Sequence, residues 1–112
     1  MAKYMVLYSS TTSATQLMAD ASSEQMKASM NEWLKWKADA NKTAQVVFGM
    51  PLQAVRHITP DGAGPSSSQV SGYATVEGDS KNVIVELLQT HPHLKRSGAS
   101  FDLLEMVTMP GM

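Results

Sequence analysis

The sequence predicts an α+β fold built on an antiparallel sheet, and three observations lead there. Strand-type residues, apolar and alternating, recur in four separated stretches at 3–8, 43–49, 70–77 and 99–108. Helix-type periodicity fills the first gap and the last one, at 23–41 and around 83–88. At 112 residues and 12.1 kDa, the chain has room for one domain, residues 1–112, and one core.

In order, residues 3–8 (KYMVLY) alternate Tyr4, Val6 and Tyr8 on one face with Met5 and Leu7 on the other, so the first strand is central. Residues 9–13, rich in Ser and Thr, form a loop, and 14–21 a short helix. Ser22 with Gln25 makes a capping box, since each side chain satisfies the other's free amide. Behind it, a helix over 23–41 places Met26, Met30, Trp33, Leu34 and Lys37 on one stripe and Lys27, Asn31, Glu32, Lys35 and Asp39 towards water. Residues 43–49 (TAQVVFG) are the second strand. Met50-Pro51 interrupts it, and 53–59 continues it or adds an edge strand. Pro60-Asp61-Gly62 is a tight turn and 64–68 a serine-rich loop. In 70–77, Val70, Gly72, Ala74 and Val76 share one face; Ser71, Tyr73, Thr75 and Glu77 share the other. Gly78-Asp79-Ser80 supplies a turn and a cap for a helix carrying Val83, Ile84, Leu87 and Leu88. Pro92 helps to end it, and Ser97-Gly98 leads into the last strand, where Phe101 and Leu103 oppose Leu104 and Met106.

The resulting order, β-α-β-β-α-β with an extra strand segment, is the split βαβ or ferredoxin-like pattern. Two helices cover one face of a four-stranded sheet, yet these strands are apolar on both faces. A second copy of the chain is the economical cover, so a homodimer is expected. Nine basic and ten acidic residues give a net charge of −1, which excludes a broad nucleic-acid or anionic-membrane footprint. Met5-Val6-Leu7 is too short for a signal-peptide core, and no later run approaches a membrane span. The absence of cysteine fits a reducing cytoplasm, excludes disulfides and thiolate sites, and makes a cytoplasmic location the expectation.

Two titratable groups stand out. His91 or His93 would act as general base near neutral pH, oriented by Asp79 or Glu105. The alternative is structural: His91 caps the C-terminus of its helix and His93 packs under the last strand. His91-x-His93 lacks a third converging ligand, so no metal is expected, and no cofactor motif occurs; His57, beside Arg56, is expected on an exposed edge. Tyr8, Tyr73 and Trp33, with apolar bodies and polar tips, would line a small-molecule pocket, or else fill the core. Residues 71–76 overlap an RNA-recognition strand motif at Gly, Tyr, Ala and Val but lack its leading cation and further stacking aromatics. Ser66-Ser67-Ser68 has no nucleophile context. Among nine methionines, Met26, Met30 and Met106 are expected as adaptable core filling.

The run Ser71-Gly72-Tyr73-Ala74-Thr75-Val76-Glu77-Gly78-Asp79-Ser80, the element His91-Pro92-His93-Leu94, Leu104-Glu105 and the tail Met109-Pro110-Gly111-Met112 together resemble the YCII-related domain family. Lys3-Tyr4-Met5-Val6-Leu7-Tyr8, Glu24-Gln25-Met26 and Thr59-Pro60-Asp61-Gly62 agree, so the resemblance spans essentially the whole chain. It implies a dimeric α+β barrel, two ferredoxin-like sheets face to face. Some members of that family look like small-molecule enzymes with a His-Asp pair. This chain has no histidine before His57, and Asp61-Gly62-Ala63-Gly64-Pro65-Ser66 breaks the DGPF motif of one branch, so the catalytic pair does not carry over. Two functions follow as expectations: a homodimer that binds a small molecule, with His/acid lyase- or isomerase-type catalysis, or a non-catalytic dimeric binding or assembly module.

Overall fold

The computed structural model describes residues 2–111; Met1 and Met112, the last residue of the resembling tail, lie outside the described residues. Along the chain run β1 (Ala2–Ser9), α1 (Ala14–Asp20), α2 (Ser23–Ala40), β2 (Gln45–Phe48), β3 (Arg56–Thr59), β4 (Gly62–Pro65), β5 (Val70–Gly78), α3 (Lys81–Gln89), a 3-10 turn (Pro92–Lys95) and β6 (Ser100–Glu105). The capping box forms as the sequence predicts. The Gln25 amide donates to Ser22 Oγ at 3.1 Å, and the Ser22 amide donates to Gln25 Oε1 at 2.8 Å.

Four strands make one antiparallel sheet in the order β2-β5-β1-β6, with β1 central as its two apolar faces require. Register aligns side chains into rows across it. On the helix-covered face, Val46, Val76 and Tyr4 form one row, and Phe48, Ala74, Val6 and Leu103 the next. Gly72, Tyr8 and Phe101 close that face at the far end. Ile84 and Leu88 of α3 and Trp36 and Ala40 of α2 complete the buried core. α3 crosses so close to the end of β5 that a Cβ at Gly78 would sit 3.2 Å from Ile84 Cδ1.

Three sequence expectations are corrected. Met26, Met30, Leu34 and Met106 are exposed rather than buried; Met30 alone leaves 58% of its surface in water. α2 is rotated so that Trp33, Trp36, Lys37 and Ala40 face inward. Two overlapping 3.6-residue stripes competed, and the stripe with two indoles removes more apolar area from water. Residues 56–59 do not join the main sheet. They pair only with β4, making a separate two-stranded hairpin out of residues partly assigned to the serine-rich loop. The last strand is shorter than expected, ending at Glu105, although the Met106 amide still donates to the Lys3 carbonyl at 2.9 Å.

Among the described residues, no helix or strand is packed across the other face of the sheet. A polar row, Gln45, Glu77 and Lys3, lies at one end. An apolar row, Val47, Thr75, Met5 and Leu104, spans all four strands, and Tyr73, Leu7 and Asp102 follow. Val47 and Leu104 are 55% and 48% exposed. The Tyr73 ring lies over Gly49, where any side chain would collide with it. The molecule is extended, 48 × 42 × 20 Å, with a radius of gyration of 15.7 Å, against about 13 Å for a compact chain of this length. Its accessible surface is 7921 Å², whereas a monomer of this mass typically exposes about 6000 Å².

Candidate functional site

Among the described residues, the one cluster of perturbed titratable groups lies where the end of β1 meets the chain leaving α3. Thr90 ends that helix, and its hydroxyl receives the Trp36 indole N–H at 3.0 Å. His91 then turns extended and Pro92 opens the 3-10 turn. Proline has no amide hydrogen, so the His93 N–H is the first free donor of that turn, and His91 Nδ1 accepts it at 2.9 Å. Histidine here caps the start of the turn, not the C-terminus of α3 as expected.

That bond decides the proton's place. With Nδ1 occupied as an acceptor, neutral His91 carries its hydrogen on Nε2 and donates it to Tyr8 Oη at 3.0 Å. His91 is only 2% exposed and Tyr8 3%. Burial, with His93's charge adding to it, pushes the His91 pKa down to about 3. Protonation would also set an N–H against the His93 N–H. Burial likewise raises the Tyr8 phenol above its ordinary value. His93 points its Nε2–H between the carbonyls of Ser9 and Ser100, at 3.0 and 3.2 Å. These two residues oppose each other in register, so the ring clamps the end of the β1–β6 ladder. Burial lowers the His93 pKa, the two carbonyls oppose that shift, and the Arg96 charge lowers it further.

Rings surround this pair. Tyr8 stacks on Trp33 at 5.2 Å, and Phe101 meets Tyr8 edge-on at 4.7 Å. Trp36 lies 4.3 Å and Trp33 4.6 Å from the His91 ring, centroid to centroid. Every fully buried side-chain nitrogen and oxygen among the described residues has a partner. His93 Nδ1 makes no hydrogen bond to the protein, so it lies at the cluster's solvent edge.

Of the expected site residues, the structure brings together His91, His93, Tyr8 and Trp33. Asp79 and Glu105 are exposed and elsewhere. Asp79 precedes the nine-residue α3 whose far end leads to His91. Glu105 opposes Tyr4, four residues along β1 from Tyr8 and therefore roughly 13 Å away. Neither carboxylate orients either histidine. Tyr73 opposes Leu7 on the open face, so it shares no pocket with Tyr8. His57 is exposed on β3. Among the described residues, no three His, Asp or Glu side chains gather as metal ligands, and no helix is long and apolar enough to cross a membrane.

Sequence reasoning gave no site role to Phe48 and Phe101. Their signal was present, since both share the parity of the inward-facing strand residues. The arrangement as a whole can hold a neutral hydrogen-bond chain in a largely buried aromatic setting. It is poorly suited to proton transfer near neutrality, because His91 resists protonation and Tyr8 resists ionisation. Fold and site together define a small α+β protein with a four-stranded antiparallel sheet, helices on one face and a histidine–tyrosine pair locked beneath them. No protein-family model matches the chain, and no curated protein is significantly similar to it.

Proposed function

We propose that the chain is a self-associating binding module of the YCII-related kind, working as a cytoplasmic homodimer. In this reading the sheet is the ferredoxin-like split βαβ, and two copies pack their open faces together as a dimeric α+β barrel. The observation that carries it is the uncovered apolar row Val47, Thr75, Met5 and Leu104. The surface excess supports it: 7921 Å² less about 6000 Å² leaves about 1,900 Å² per copy, more than the roughly 800 Å² each partner buries in a standard interface. The engaged, neutral His91 favours a non-catalytic role. Sedimentation equilibrium should give a particle of twice the 12.1 kDa chain mass at micromolar concentration. A particle of single mass up to millimolar concentration would overturn the reading.

A second reading rests on a separate observation, the unspent acceptor His93 Nδ1 beside the rings of Tyr8 and Phe101. A small polar molecule donating to that nitrogen would bind there, and His93 would be the general base if turnover occurs. In a thermal-shift screen of metabolites, a true ligand raises the melting temperature of the wild type and not of His93→Ala. A screen in which no compound distinguishes the two proteins rules this site out.

A further inference from the structure

We propose that the β3–β4 hairpin is an arm that closes on the second copy of this chain. This rests on the homodimer reading above and assigns it a further contact surface. Seven of the eight hairpin residues are exposed, and two apolar side chains among and beside them stand largely bare: Ile58 at 76% and Val55 at 67%. Among the described residues, its two strands pair only with each other. A lone two-stranded ribbon is marginal in water and gains little from leaving Val55 and Ile58 unburied.

Its own body does not receive it. Both legs are fixed at the Tyr8 end of the sheet: Thr15 Oγ1 donates to Gln53 Oε1 at 2.7 Å, and the Ser10 amide donates to the Gln69 carbonyl at 3.0 Å. Between these ties the ribbon is carried outward. Its root is continuous with the open sheet face. The Gly49 amide bonds the Tyr73 carbonyl and the Leu52 amide bonds the Ser71 carbonyl, while the Tyr73 ring lies over Gly49 on that face.

Area identifies the occupant. Four strands spaced about 4.8 Å apart and six residues long cover a footprint of about 400 Å². The surface excess of about 1,900 Å² is several times that, so sheet-to-sheet packing leaves most of it unexplained. An arm laid on the partner accounts for a further share, and twofold symmetry makes each copy give one arm and receive one. The arm's charge, Arg56 against Asp61, is too slight for a polyanion, which favours an apolar protein contact.

The test uses full-length protein with Ile58→Asp, alone and with Val55→Asp, measured by sedimentation equilibrium. Because both side chains are bare in the single copy, circular dichroism should be unchanged. The dimer dissociation constant should rise at least tenfold. Amide exchange over residues 56–65 in the wild type should slow on passing from dilute monomer to concentrated dimer. A wild type that never dimerises defeats the homodimer reading itself. A wild-type dimer whose dissociation constant moves less than twofold in Ile58→Asp, with exchange at the hairpin unaltered by concentration, overturns the arm alone.

Discussion

Acidification from pH 6.5 to pH 4 will cost the folded state about 3 kcal/mol through His91 alone, at about 1.4 kcal/mol per pH unit. The sign follows from the direction of the shift. An unfolded-chain histidine takes up its proton near pH 6.5, whereas the buried ring resists until about pH 3. Between those values the unfolded chain binds a proton that the folded chain does not. Stability is therefore complete above pH 6.5, falls as pH drops, and levels off near pH 3. His93, lowered in the same direction, steepens the fall. Among the described residues, no carboxylate shifts either ring to offset it; the groups that act on them are Tyr8, each other and the Arg96 charge. Urea unfolding followed by tryptophan fluorescence at fixed protein concentration, from pH 7 to pH 4, measures the slope. His91→Gln should be less stable at pH 7, having lost a fitted ring, and its stability should depend less steeply on pH. Equal slopes in the two proteins would show that His91 is charged in the fold or open to water.

The second large effect belongs to the open face. Leu104→Asp should weaken self-association at least a hundredfold, which corresponds to about 3 kcal/mol. Leu104 ends the apolar row beside Met5, and in the proposed dimer a carboxylate there would lose its water on packing into that row. The single copy should tolerate the change, because Leu104 is 48% exposed on an edge strand. Val47→Asp, at the other end of the row, should act alike, while Lys35→Asp on the outward side of α2 should leave association unchanged. Light scattering across a concentration series reads all three. Undiminished association of Leu104→Asp would move the interface off the sheet.

How far the site could be read in advance depended on the range of each contact. The cap by His91 was legible in principle, because a side-chain acceptor, a proline without an amide hydrogen and then a free amide are three consecutive residues. The same geometry was not legible for Asp79 and Glu105. Both are near His91 and His93 in sequence, but α3 and the antiparallel register carry one to the far end of the helix and the other towards Tyr4. The Tyr8–His91 bond joins residues 83 apart in the chain, and only the folded register brings them together.

Local chemistry alone determined the elements: the alternation of β1 and β5, the Ser22–Gln25 box that starts α2, the Ser80 cap that starts α3, and the double-faced apolar strands that leave one side of the sheet uncovered. The tertiary structure decided three things. It chose which of two helical stripes of α2 turned inward, because indole burial outweighs that of Met26, Met30 and Leu34. It placed residues 56–65 in a projecting hairpin outside the sheet. It also fixed the protonation of His91, because desolvation acts only once Trp33, Trp36 and Phe101 have closed over the ring. Short-range patterns record propensity and capping, whereas burial is a property of everything packed around a residue.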